Sequence, residues 1–212
     1  MKKHLFPLLL IATTLIIWLF AYPNLPEQLP THWNFNGEAD GYSTKLSAML
    51  MQIGIMTLIY LSANFMPKID PRKANYTYFL KGYTIIYNSM LTIFFVLNIL
   101  MVLNGLGHDI PMSSIGTLVI GTLFVILGNF LPQVRSNFSI GVRTPWTLSN
   151  DEIWRKTHRF MAKIFFIAGI ILILVTFVSG LLKQIAVIGI VIVVIIAPYI
   201  YSFLAYRKTL SK

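Results

Sequence analysis

The sequence predicts an all-α polytopic membrane protein with six transmembrane helices, both termini in the cytoplasm and a short external β-hairpin flap after the first helix. The chain of 212 residues is 56% hydrophobic and 11% charged, which leaves too little polar surface to cover a soluble domain. Six apolar stretches are long enough to cross a bilayer. The basic residues cluster on alternate sides of these stretches, as the topology of a multi-pass protein requires.

The spans are expected at about residues 7–22, 46–66, 82–106, 112–131, 164–182 and 185–206. The first is expected to be retained, because a small-x-small cleavage pattern is missing around Ala21. Lys183 and Gln184 are expected to form a tight turn between the last two spans, and Pro198 to kink the last one.

Small and polar residues within the spans predict how the helices pack. The glycines of the fourth span would let a neighbouring helix approach closely, and intramembrane amides usually hydrogen-bond across helices. These residues are Gly116, Gly121 and Gly128, and in the third span Asn88 and Asn98.

The charge distribution fixes the expected orientation. With the N-terminus inside, 15 of the 17 Lys and Arg residues lie on the inner side, and Lys45 and Lys183 lie outside. The net charge of +10 is therefore interpreted as topology, and no direct nucleic-acid partner is expected.

The external segment, about residues 23–45, is rich in Pro, Asn and Gly. Asn36-Gly37 predicts a two-residue type I′ turn. Alternation would place His32 and Asn34 on one face of the flap, and Trp33 and Phe35 on the other. The two aromatic residues then either pack on helix ends or, together with acidic side chains, meet a cationic or amphipathic peptide from outside. The acidic residues are Glu27, Glu38 and Asp40.

Residues 140–160 hold most of the remaining polar chemistry. Thr144 precedes Pro145, so an extended loop is expected through Leu148. Ser149, with Glu152 three residues later, predicts a capping box at the start of a helix. Four bases would share one arc of that helix, with an apolar arc opposite. The bases are Arg155, Lys156, Arg159 and Lys163, and the opposite arc is Ile153, Trp154, Thr157, Phe160 and Met161. The pattern suits either a helix lying on anionic headgroups or a docking surface.

The run IGVRTPWTL, with Trp154, Lys156, Thr157, His158 and Arg159 after it, resembles the signature of the SdpI family of bacterial membrane immunity proteins. Residues 25–45 resemble the domain of unknown function that commonly precedes that signature. The resemblance implies a multi-pass protein of the bacterial cell membrane that confers immunity to a secreted peptide toxin. In part of the family it also implies capture of a cytoplasmic transcriptional repressor.

The resemblance also marks a set of residues expected to form one packed cytoplasmic cap. Arg143 would satisfy helix-end carbonyls, and two asparagines would bond to the loop. Trp146, Trp154 and His158 would form an aromatic cluster. The alternative is a cap that only closes the helix bundle. The set is Asn129, Asn137, Gly141, Arg143, Thr144, Pro145, Trp146, Thr147, Leu148, Trp154, Thr157, His158 and Arg159.

Catalytic and transport chemistry is poorly represented. The span cores carry no ionisable residues, which disfavours a pump. Zinc-protease, nucleophile-elbow and phosphate-loop motifs are missing, so no enzyme, cofactor or metal site is expected. His32, Glu38 and Asp40 match no metal-ligand spacing and are expected to be solvated.

The sequence thus favours an immunity protein that binds and neutralises a secreted peptide toxin without turnover. Two other classes stay open. A small-solute permease should show a continuous polar stripe through the bundle, and an envelope-modifying enzyme should bring His32 and Glu38 or Asp40 into one pocket. The expected organisation is an N-terminal membrane region, 1–106, and an SdpI-like region, 107–212, with a cytoplasmic loop at about 132–163.

Overall fold

The computed structural model describes residues 2–34 and 37–210. Within them it has seven α-helices and one two-stranded sheet: α1 (Lys2–Ala21), β1 (Gln28–Trp33), β2 (Ala39–Thr44), α2 (Lys45–Ile69), α3 (Leu80–Gly105), α4 (Met112–Phe130), α5 (Pro145–Ser149), α6 (Asp151–Val175) and α7 (Leu181–Leu210). Six of the helices are long and apolar enough to cross a membrane, all except α5. The predicted fold class is confirmed, while the side on which the termini lie stays a prediction.

The polar helix at residue 150 and the fifth span form one continuous helix, α6, so they are not separate elements. The expected turn at Lys183 and Gln184 is wrong, because both residues lie in the first turn of α7. The chain turns instead at residues 176–180, where Gly180 has a φ of +73°. Glycine adopts this left-handed conformation without the steric cost that other residues meet.

One compact unit consists of Met1–Ala63 and Tyr87–Gly116. Its apolar core includes Trp18 from α1, Leu29 from β1 and Met101 from α3. The Trp18 indole Nε1 donates to Asn98 Oδ1 over 2.8 Å, and Asn98 Nδ2 donates to Gln52 Oε1 over 3.4 Å. The predicted amide bond across helices is therefore confirmed for Asn98.

The hairpin of β1 and β2 is confirmed, but its turn differs from the expected one. Asn34 N donates to Glu38 O over 2.9 Å, and Gly37 N donates to Asn34 O over 3.0 Å. Three residues therefore separate the closing pair, instead of the two of a type I′ turn. Asn36, on which that expectation rested together with Gly37, lies outside the described residues, as does Phe35. Gly37 has a φ of +89°.

The strand register also breaks the simple alternation expected for the flap. His32 lies opposite Gly41, and Trp33 lies opposite Ala39, so Asp40 is an extra residue on β2. An extra residue of this kind bends the strand and redirects the neighbouring side chains. His32 and Asp40 consequently meet each other.

The second compact unit consists of Asn64–Ile86 and Thr117–Lys212. Here α4 packs closely on α6 through glycines: a Cβ on Gly121 would lie 2.9 Å from Gly169 O, and a Cβ on Gly128 would lie 2.8 Å from Ala162 O. The close approach predicted for these two glycines is confirmed. It is wrong for Gly116, which belongs to the first unit, because a Cβ there would have open space around it among the described residues. Neither unit coincides with the division expected at residues 106 and 107, which stays a prediction about sequence regions.

Candidate functional site in the cap and the flap

The RTPWTL run folds into a short helix rather than a loop. Thr144 is extended, with φ −105° and ψ 163°, as expected before proline, but α5 then begins at Pro145. Thr144 Oγ1 accepts from Thr147 N over 3.2 Å, and Thr147 Oγ1 accepts from Thr144 N over 2.9 Å. Pro145 is well placed at the first helical position, because its fixed φ suits a helix and its missing N–H would have no intrahelical partner. The expectation of a loop through Leu148 was therefore wrong.

Helix α6 is capped one residue later than expected. Asn150 Oδ1 accepts from Glu152 N over 2.8 Å and from Ile153 N over 3.2 Å. Ser149 Oγ donates to Trp146 O over 3.0 Å, so it belongs to α5. Glu152 does not complete a capping box with Ser149, and its carboxylate lies 2.7 Å from Lys156 Nζ.

Replacing Asn150 by alanine is expected to lower the free energy of unfolding by about 1 kcal/mol, because the cap of a long helix is lost. Ser149→Ala is the matched control, and its effect should stay within about 0.5 kcal/mol because an exposed bond alone is lost. Denaturation in detergent, followed by circular dichroism, measures both. A larger loss of stability in Ser149→Ala than in Asn150→Ala would show that Ser149 is the capping residue.

The two arcs predicted for α6 are confirmed. All four bases of the first arc are exposed, and Ile153, Trp154, Thr157 and Met161 of the other are buried. Lys156 pairs with Glu152, whereas Arg159, although part of the family signature, projects from the exposed arc. The buried arc therefore holds the cap, and the exposed arc remains accessible.

Trp154 and His158 form the centre of the cap. Their rings stack with centroids 4.1 Å apart and planes at 19°. Trp154 Nε1 donates to Val134 O over 2.8 Å, and Val142 N donates to His158 Nε2 over 3.1 Å. With Nε2 accepting, Nδ1 carries the proton and donates to Trp154 O over 2.9 Å. The Trp154 and His158 side chains of α6 thus attach the loop before α5 at two points, Val134 and Val142.

Trp146 does not join this cluster, contrary to the expectation. Its ring packs against Phe203 of α7, with centroids 5.2 Å apart. Thr144 Oγ1 also bonds to α7, donating to Ser202 Oγ over 2.9 Å. α5 therefore connects the cap to the last helix, an attachment that local sequence patterns did not indicate.

The two asparagines of the signature behave differently. Asn137 is fully buried, and its Oδ1 accepts from the backbone N–H of Ser139 and of Ile140, each over 2.8 Å. Asn129 is exposed and makes no hydrogen bond to the described loop, so the role expected for it was wrong. Arg143 Nη1 donates to Phe138 O, which is a loop carbonyl rather than the helix-end carbonyl expected.

Asp70 organises the same region, and sequence reasoning missed it. Its carboxylate accepts from Arg72 N over 2.7 Å, Tyr76 Oη over 2.7 Å, Phe138 N over 2.8 Å and Ser139 Oγ over 3.4 Å. Burial raises the pKa of Asp70, but these donors outweigh burial and hold the pKa below its ordinary value of 3.8. Asp70 thus joins the segment after α2 to the loop before α5.

The flap presents a small exposed polar cluster. His32 Nδ1 lies 2.5 Å from Asp40 Oδ1, with 72% of the His32 side chain exposed. Glu38 Oε2 instead accepts from Asn34 Nδ2 over 2.9 Å. Glu38 therefore does not converge with the His32–Asp40 pair, and no group of three potential metal ligands occurs among residues 2–34 and 37–210.

The chain resembles known proteins along nearly its whole length. Residues 133–202 match the model of the SdpI/YfhL protein family, and residues 9–57 match that of a domain of unknown function, DUF1648. The chain is 26% identical over 208 residues to immunity protein SdpI of Bacillus subtilis (strain 168), covering 98% of each chain. No solved structure matches the chain. The match over 133–202 contains α5, the whole of α6 and therefore the Trp154–His158 stack. Residues 133–202 of this chain, a multi-pass protein of the cell membrane, are therefore similar to the SdpI/YfhL family, and residues 9–57 are similar to DUF1648.

Proposed function

We propose that this protein is a membrane immunity protein that neutralises a secreted peptide toxin by binding it stoichiometrically at the outer face of the cell membrane. The observation that carries the proposal is the similarity to an immunity protein along 98% of both chains. That similarity includes the flap as well as the cap. A binding mechanism needs no catalytic group.

The flap is suited to be the binding face because it is firmly anchored. Leu29 of β1 is fully buried, and Leu25 just before the strand is 4% exposed. Both side chains occupy the space beside Gly105 of α3 that a Cβ would fill. Burying two leucines contributes about 3–6 kcal/mol to holding the flap in place. A preformed surface spares a ligand the cost of ordering it.

Charge indicates the kind of peptide that the flap would bind. Residues 23–45 contain three of the seven carboxylates of the chain and, apart from histidine, a single base, Lys45. Lys45 Nζ pairs with Glu27 over 3.0 Å at the base of the hairpin, whereas Glu38 and Asp40 lie near its turn. Tyr42 is 60% exposed nearby on β2. Acidic groups beside aromatic rings suit a cationic, amphipathic peptide.

Expression of the protein in a sensitive bacterium is expected to prevent membrane depolarisation by its peptide toxin. Protection should fall at least about tenfold, in toxin concentration, when Glu38→Gln and Asp40→Asn are combined with Trp33→Ala, because charge and aromatic contact are both lost. A voltage-sensitive dye measures depolarisation across a panel of purified secreted peptides.

The matched control is Asp109→Asn, which removes an exposed carboxylate outside the flap and should retain full protection. Membrane abundance is compared for all variants by immunoblotting. Protection by the triple variant at equal abundance would remove the flap from the proposal. Failure of the wild-type protein against every peptide would remove the immunity role.

One finer element of the proposal rests on family likeness alone. The cap residues, with Trp146 and Arg143 foremost, are proposed as the face that captures a cytoplasmic repressor. A permease would still require a continuous polar stripe through the bundle, and an enzyme would still require His32 and Glu38 or Asp40 in one pocket. The His32–Asp40 pair at an exposed surface gives the enzyme alternative little support.

A further inference from the structure

A cavity of about 230 Å³ lies at one edge of the cap and is not used by the proposed function. Its lining includes Arg135, Ser136, Asp151 and Arg155. The volume would hold several water molecules, each of which occupies about 30 Å³ in the liquid. The cavity is therefore large enough for a small polar group such as a phosphate.

The two arginines of the lining, Arg135 and Arg155, are available to bind a ligand. Neither guanidinium donates a hydrogen bond or forms an ion pair within residues 2–34 and 37–210, and both residues are exposed. The Arg135 guanidinium carbon lies 5.9 Å from the ring centroid of Tyr78, another lining residue, so an aromatic face orients it. Guanidinium groups match the geometry of phosphate oxygens and bind them with paired hydrogen bonds.

Ser136 provides an independent indication of a ligand. The residue is 3% exposed, and its hydroxyl has no hydrogen-bond partner among the described residues. Its backbone is fixed, because Asn75 Nδ2 donates to Ser136 O over 2.7 Å. A buried hydroxyl without a partner is costly, and a ligand oxygen would remove that cost.

Asp151 limits the charge of the ligand. Its carboxylate lies in the same lining and is 3.5 Å from Arg72 Nη1. Among the lining residues, the cations of Arg135 and Arg155 and the carboxylate of Asp151 give a net charge of +1, which a phosphodiester balances. Arg72, which pairs with Asp151, lies outside the lining. The lining residues lie at or next to the ends of three candidate spans, Leu80–Gly105, Met112–Gln133 and Asp151–Val175. The ends of membrane spans are where a protein meets lipid headgroups.

We propose that this cavity binds a phosphate group, and specifically the phosphodiester of an anionic phospholipid headgroup. The two guanidiniums hold the non-bridging oxygens, and the Ser136 hydroxyl donates a further hydrogen bond. Such a lipid would attach the cap to the membrane surface.

The test uses the full chain, purified in an uncharged detergent without phosphate. Native mass spectrometry follows titration with phosphatidylglycerol, with diacylglycerol of the same acyl chains, and with inorganic phosphate as competitor. We expect one tightly retained phosphatidylglycerol and much weaker retention of diacylglycerol. Displacement by millimolar phosphate would identify a general phosphate site, and resistance to it would identify the lipid as the source. Equal retention of diacylglycerol would overturn the proposal.

Arg135→Gln with Arg155→Gln should weaken phosphatidylglycerol binding about tenfold to a hundredfold, the loss expected for charge-assisted hydrogen bonds. Lys163→Gln, an exposed base on the same helix outside the cavity, is the control and should bind as the wild type does. If the double variant does not fold, Ser136→Ala provides a second test of the proposal. It should bind severalfold more weakly, while its thermal stability without lipid stays equal or rises. Unchanged affinity in the arginine variant, or in Ser136→Ala when the arginine variant does not fold, would overturn the proposal.

Discussion

Asp70→Ala is expected to lower the free energy of unfolding by about 3 kcal/mol, because buried donors lose a charged acceptor. Four groups donate to this carboxylate, from Arg72, Tyr76, Phe138 and Ser139. Three of them, the Tyr76 hydroxyl and the two groups in the 138–139 loop, lie outside the Asp70 turn itself. We therefore expect the segment after α2 and the loop before α5 to lose their contact with each other in this variant. Denaturation in detergent, with limited proteolysis of both segments, measures the effect.

The control is Asp109→Ala, because Asp109 is also an acid in a loop but is exposed, and its replacement should change stability by less than about 0.5 kcal/mol. A pH series adds a second criterion. The folded-state pKa of Asp70 is below 3.8, so its contribution is fully present above that pH. It is lost as the pH falls through the lower, folded-state value. Asp70→Asn should remove this component of the acid sensitivity. An equal loss in the Asp109 variant would show that Asp70 has no special role.

The sequence could not indicate Asp70, for a physical reason. In the run Pro-Lys-Ile-Asp-Pro-Arg-Lys a single acid among bases is typical of a solvated loop. Its importance comes from donors more than 65 positions further along the chain, at Phe138 and Ser139. Hydropathy and local spacing contain no information about such partners. The membrane spans, in contrast, follow from length and composition and were predictable to within a few residues, apart from the fifth.

The errors at the start of α6 and at the last turn share one cause, which is competition between neighbouring local signals. Ser149 and Asn150 are both favoured capping residues, and the three-residue spacing to Glu152 pointed to Ser149. The short helix α5 decided between them, because it ends at Ser149 and uses its hydroxyl. At the last turn, Lys183 and Gln184 are polar, but Gly180 is the residue that can adopt a positive φ. A glycine was the better signal there, because conformation constrains a turn more strongly than polarity does.

Some residues of the family signature in the cap are explained by sequence patterns, and others only by the three-dimensional structure. The buried arc of Trp154 and Thr157 follows from helical periodicity alone. Gly141 and His158 are explained only in three dimensions. The loop backbone at Gly141 comes so close to the His158 ring that a side chain has no room. Signature residues such as these are thus required for packing, which is separate from any role in binding.

Gly141→Ala is expected to destabilise the cap by about 3 kcal/mol or more. Gly141 has a φ of +108°, a conformation that costs a residue with a Cβ about 1–2 kcal/mol. The added Cβ would also overlap His158 Nε2 and lie 3.2 Å from Trp154 Cζ2. Overpacking of this kind costs a further 1–3 kcal/mol, roughly, and the backbone shift that relieves it breaks the bond from Val142 N to His158 Nε2.

Gly107→Ala separates the two contributions, because Gly107 has a similar φ of +94° and an added Cβ would have open space around it among the described residues. It should lose only the conformational part, about 1–2 kcal/mol. Thermal unfolding in detergent gives both values, and near-ultraviolet circular dichroism reports the packing of the tryptophans. The excess loss in Gly141→Ala therefore measures how tightly the loop, the Trp154–His158 stack and α6 are packed against one another. Equal losses in the two variants would mean that the loop moves away from His158 without cost, and the close packing assigned to the cap would then be wrong.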